Sequence, residues 1–203
     1  MVWIFGDSFS APFDGSNKWS SDYIKWKGYK PKTFGDIIAE KLGVGVMNIA
    51  KNGTCNDSIH ESICENINEV KEGDIIIIGW SNIRRFRLAN KSGKWENVLW
   101  SGLYKTLENL QDISEETVEQ IFINRTSPLY NDEFMKRINF LNWAFRNNII
   151  LHWTPFPEQF EMVQGFLDIE SIQMETGGEV QDTHYSELGH RQVADRILGI
   201  LKF

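Results

Sequence analysis

Four consecutive isoleucines, Ile75 to Ile78, set between Asp74 and Gly79, constrain the fold more than any other stretch of the chain. A strand with one face in water alternates apolar and polar residues. An unbroken apolar run of this length instead marks a strand buried on both faces, at the centre of a parallel sheet covered by helices. In chain order, Val2-Trp3-Ile4-Phe5 reads as the first strand, also buried, Val44 to Ala50 as the second, the isoleucine run as the third and Ile149 to Trp153 as the fourth. Ser171-Ile172-Gln173-Met174 is the best placement for a fifth. Helical patterns lie between them. Phe34 to Leu42 puts Phe34, Ile37, Ile38 and Leu42 on one face, and Asn56 to Val70 carries Ile59, Ile63, Ile67 and Val70 in a stripe. Asp132 to Asn147 follows, and Ser186 to Leu201 turns Leu188, Val193, Ile197 and Leu201 inward. This alternation predicts an α/β fold: a three-layer α/β/α sandwich around a doubly wound, flavodoxin-like parallel sheet of four or five strands, forming one domain over residues 1–203.

Two stretches are less regular. Residues 10–33 hold many turn formers interleaved with Phe13, Trp19, Tyr23, Trp26 and Tyr29. They read as a loop with at most a short helical turn, serving either as a substrate wall or as a loop pinned by its own aromatics. Residues 83–128 read as an irregular helical excursion over the sheet edge. Within it, Arg84-Arg85 with Arg87 is the densest basic cluster, suited to a solvated or substrate-facing loop.

A net charge of −7 argues against a nucleic-acid partner. Cys55 and Cys64 fit neither a zinc pattern nor a disulfide framework, so free thiols are expected. Asp182, His184 and His190 lack a companion cluster, so neither a metal nor a cofactor is expected. No apolar run approaches the roughly 18 residues of a membrane span, and with a strand read from Val2 no signal peptide is expected. The expected setting is cytoplasmic, or inside a producing cell with later release by lysis or assembly.

The chemistry-bearing residues stand where strands end. Gly6-Asp7-Ser8 follows the first strand, Gly53 the second and Gly79-Trp80-Ser81-Asn82 the third, while Asp182-Thr183-His184 precedes the last helix. Right-handed crossovers bring the ends of the first three strands to one sheet edge, where open α/β sheets bind ligands. His190 lies within the last helix and reads as structural, His152 as a core histidine, and His60 as a helix-surface residue.

Ser8, Gly53, the Asn of Gly79-Trp80-Ser81-Asn82, and His184, in this order across nearly the whole chain, resemble the SGNH (GDSL) hydrolase superfamily. The resemblance extends to phage-encoded members of similar length. It implies a serine ester hydrolase with Ser8 as nucleophile, His184 as base and Asp182 orienting the imidazole. The oxyanion hole would comprise the Ser8 and Gly53 N–H groups and a side chain ending the third strand. The implied partner is a small-molecule ester, plausibly an acylated glycan on which Trp19, Trp26, Trp80, Trp95 or Trp100 could stack. The chain departs from the pattern twice. The family's aspartate stands three residues before the histidine, which is Gln181 here, so Asp182 either orients His184 from one residue nearer, caps the last helix, or leaves a serine–histidine dyad. Where the family has Gly-x-Asn-Asp, strict alignment offers Ser81, a slipped loop offers Asn82, and Asn56 is a third possibility. The expectation is Asn82 toward Ser8 with Ser81 structural. The competing reading is a binding or structural module that kept the fold and lost efficient catalysis.

Overall fold

The computed structural model describes residues 1–99, 114–125, 127–156, 166–167 and 184–201. Its strands are β1 (Val2–Gly6), β2 (Val46–Asn48), β3 (Ile75–Gly79), β4 (Arg85–Ala89), β5 (Trp95–Leu99), β6 (Ile149–Trp153) and β7 (Phe166–Leu167). Its helices are α1 (Lys18–Lys27), α2 (Phe34–Leu42), α3 (Asn56–Asn66), α4 (Glu115–Arg125), α5 (Pro128–Ala144) and α6 (Glu187–Leu201).

The main sheet is parallel, in the order β2-β1-β3-β6-β7, with the isoleucine strand in the middle. All five residues of β3 are buried because both faces are covered. On one face, Val2, Ile4, Ile75 and Ile77 pack with Phe34 and Ile38 of α2 and Val193 and Ile197 of α6. On the other, Trp3, Phe5, Ile76 and Ile78 meet Ile59 and Ile63 of α3 and Phe134, Ile138 and Leu141 of α5. Each such side chain contributes about 1.5–3 kcal/mol on burial. The result is the expected α/β/α layering. The register sets Gly6 beside Gly79 and Gly79 beside Trp153, so β1, β3 and β6 end level with one another.

The structure corrects several expectations. Residues 18–27 are helix, not loop. Asn17 caps it by accepting from Ser20 N at 2.8 Å, Gly28 closes it, and Trp19, Tyr23 and Trp26 form a helical stripe. The excursion over 83–128 opens with an antiparallel hairpin, β4 paired with β5 across Arg85–Leu99 to Ala89–Trp95. Phe86 and Val98 are buried against Val118 of α4, and the opposite face of the hairpin turns Arg85 and Asn97 toward the strand-end turns. The second strand shrinks to three residues. A short fifth strand exists at Phe166–Leu167, paired with β6, while residues 171–174 lie outside the described residues. Leu188 is 51% exposed and does not face inward. No helix among the described residues is long and apolar enough to cross a membrane.

Candidate active site

The chain leaves β1 in a tight turn organised by Asp7. Phe9 N donates to Asp7 Oδ1 at 3.0 Å, and Ser10 N and Ala11 N donate to Asp7 O at 3.0 and 2.9 Å. Ser10 folds back beneath the turn. A Cβ built on Gly6 or Gly79 would lie 2.6 or 2.3 Å from Ser10 Oγ, so only glycine fits at either strand end. This packing presents Ser8 at the carboxyl edge of the sheet.

Ser8 Oγ lies 2.7 Å from His184 Nε2. The imidazole stands between Phe9 and Trp19, with ring centroids 4.9 and 4.7 Å away. The segment that carries it is tied to α1, because Glu187 N donates to Tyr23 Oη at 2.9 Å and Tyr29 Oη donates to Glu187 Oε2 at 2.6 Å. The described residues thus bring Ser8 and His184 together, as expected. Asp182 lies outside the described residues. The other histidines are engaged elsewhere. His190 Nδ1 accepts from Phe34 N at 3.3 Å, and burial pushes its pKa down to about 3. His152 Nδ1 accepts from Trp80 Nε1 at 3.1 Å, and burial lowers its pKa to about 4. His60 is half-buried on α3.

The turn after β2 adjoins the Ser8 turn through Lys51 N, which donates to Gly6 O at 3.1 Å. Gly53 holds a φ of +76°, where a side chain would be strained, with open space beside it. Among the described residues, neither Ser8 N nor Gly53 N donates a hydrogen bond. An oxyanion hole needs two such N–H groups aimed at one point.

At the end of β3, Asn82 Oδ1 accepts from Arg84 N at 2.8 Å in a turn of its own. Ser81 is fully buried and locked to Asn56: Ser81 N donates to Asn56 Oδ1 at 2.7 Å and Asn56 Nδ2 donates to Ser81 O at 3.0 Å. Both alternatives to Asn82 are therefore structural in their visible bonds. Arg85 is the residue that sequence reasoning passed over. Its Nη1 reaches Asp7 Oδ2, Thr54 O and Ser81 Oγ. Burial raises the Asp7 pKa, opposed by Arg85 and by the Ser81 hydroxyl. The only sequence signal was the basic cluster at residues 84–87.

Of the candidate stacking tryptophans, Trp80 is fully buried against Phe134 and His152. Trp95 is 62% exposed beneath the Arg87 guanidinium, Trp26 is 40% exposed, and Trp100 lies outside the described residues. Cys55 and Cys64 are free.

No family model matches the chain, and no curated protein matches it. Among solved structures it is similar to "a putative lipolytic protein of G-D-S-L family" from Desulfitobacterium hafniense DCB-2, at 14% identity over 98% of each chain and a TM-score of 0.40. The fold described above stands on the chain's own strand order and register.

Proposed function

We propose that this protein is a serine ester hydrolase, and the single observation carrying that reading is the 2.7 Å contact between Ser8 Oγ and His184 Nε2. His184 Nε2 takes the hydroxyl proton as Ser8 Oγ attacks the ester carbonyl carbon, whose π electrons move onto oxygen. The Ser8 and Gly53 N–H groups stabilise that oxyanion. Collapse expels the alkoxide, which takes the proton from His184, and leaves an acyl group on Ser8. Water then attacks with the same base, releasing the acid and restoring the hydroxyl. Half-buried Trp19 and exposed Trp26 suit stacking on a sugar, so an acylated glycan is the proposed substrate class.

A fluorophosphonate probe tests the nucleophile. Wild-type protein is expected to label at Ser8 and to hydrolyse short acyl esters, while Ser8→Ala and His184→Ala lose about 10⁴-fold or more in kcat. Absence of labelling in a folded wild-type protein rejects the hydrolase. A second reading, a binding module with little turnover, is favoured by the commitment of Asn82 and Ser81 to turn and network bonds. Acetylated-sugar binding without Ser8 labelling would select it.

A further inference from the structure

Arg85 begins β4, yet its Nη1 meets one acceptor from each turn that ends β1, β2 and β3: Asp7 Oδ2 at 3.4 Å, Thr54 O at 3.2 Å and Ser81 Oγ at 3.1 Å. Its side chain is 15% exposed and that of Asp7 1%. These turns hold everything the proposed reaction uses except His184. Ser8 adjoins Asp7, Gly53 adjoins Thr54, and Ser81 stands where a side-chain donor is expected. Among the described residues, Asn82 Oδ1 is engaged in its own turn and the Asn56 amide in holding Ser81.

The charge arrangement sharpens the point. A buried carboxylate one residue from the nucleophile repels an oxyanion forming there, and low dielectric magnifies the repulsion. A cation on that carboxylate offsets it and keeps Asp7 from being an unpaired buried charge. Arginine suits the task because it stays charged and presents a planar fork of donors.

We propose that Arg85 is the positioning residue of the oxyanion hole, tying the three strand-end turns into register and neutralising Asp7 in place of a strand-three amide. This rests on the serine-hydrolase reading. Arg85 acts through the Ser8 and Gly53 N–H groups rather than on the substrate.

The test uses Arg85→Ala and Arg85→Lys in the full chain, with p-nitrophenyl acetate turnover, guanidinium rescue and amide exchange at Lys51 and Ser81. Arg85→Ala is expected to lose about 100-fold in kcat, the scale of a disabled oxyanion hole, with KM within about threefold. Added guanidinium ion restores part of the loss, and Arg85→Lys, which keeps the charge, lies between alanine and wild type. Exchange at Lys51 and Ser81 is expected to quicken about tenfold in Arg85→Ala, while β3 amides stay protected. Wild-type kcat in folded Arg85→Ala, or a loss confined to KM, overturns the proposal. So does unchanged exchange at both amides. If wild type and Ser8→Ala turn over equally, the hydrolase reading falls and the catalytic part of the proposal falls with it. The exchange result then decides separately whether Arg85 ties the turns.

Discussion

Asn56 and Ser81 hold each other by two reciprocal hydrogen bonds, the side-chain amide of one against the backbone N–H and C=O of the other. Both residues are fully buried, so α3 and the end of β3 are joined where no water reaches. Asn56→Ala orphans a donor and an acceptor together, each costing about 1–3 kcal/mol. A fall of about 2–4 kcal/mol in urea-unfolding stability is expected, and a change under 1 kcal/mol would contradict the burial argument.

Ser81 and Asn82 separate cleanly by substitution. Asn82→Ala removes an exposed turn bond and is expected to leave kcat within about threefold, since loss of a true oxyanion donor costs about 100-fold or more. Ser81→Ala takes an acceptor from Arg85 and is the more damaging of the two. Matched kinetics on a short acyl ester rank them, and the reverse order would place Asn82 back in the hole.

Gly79 is a packing requirement. A methyl group there meets Ser10 Oγ at 2.3 Å and Trp153 Cε2 at 3.0 Å. Gly79→Ala should cost about 1–3 kcal/mol by overpacking. The cost should shrink in a Ser10→Ala background, because that hydroxyl has no hydrogen-bond partner among the described residues to lose. Equal costs in both backgrounds, measured as a double-mutant cycle, would disprove the clash.

Acid should weaken the fold through two buried imidazoles. His190 and His152 are held at about 3 and about 4, below the ordinary 6.5, so the unfolded chain binds their protons first. Stability is full above pH 6.5 and falls as pH drops from there toward 4, with a slope of up to about 1.4 kcal/mol per pH unit for each group. Asp7, raised by burial, takes up its proton more readily when folded and offsets part of the loss. Asp57 and Asp74, both lowered, act below this window. Half-buried His60, also lowered by burial, adds to the same slope; urea midpoints at pH 7.5, 6 and 5 measure it, and His190→Gln should reduce it.

Trp19 should matter to turnover beyond its packing. Its ring lies 4.7 Å from the His184 imidazole, whose other ring neighbour is Phe9 at 4.9 Å. Trp19→Ala is expected to lower kcat about 10- to 100-fold, because small displacements of a base are costly. Wild-type kcat in that variant would show that His184 is positioned without it.

The central strand and α2 were readable because each residue's local preference agrees with its tertiary place. Four buried isoleucines leave no other sheet position, and the Thr33 cap and Gly43 stop bound α2 at both ends. Ser8, Gly53 and His184 were readable for a related reason, since each is fixed by a nearby strand end or helix start. The α1 helix was missed because its apolar stripe is aromatic and its flanks are rich in turn formers, although Asn17 and Gly28 mark its ends. The hairpin carried an alternating signal in Arg85-Phe86-Arg87-Leu88, too short to outweigh the weak helical pattern after it. Arg85 could not have been placed, because its partner Asp7 is 78 residues away and the contact exists only once the hairpin docks.

The contact between Ser8 and His184 spans 176 positions of the chain. A ribosome therefore releases the serine long before the imidazole. Until α6 settles against α2, the hydroxyl has no base beside it, so an unfinished or truncated chain carries an unarmed serine. The proposed reactivity therefore begins only when the segment carrying His184 has docked beside the Ser8 turn.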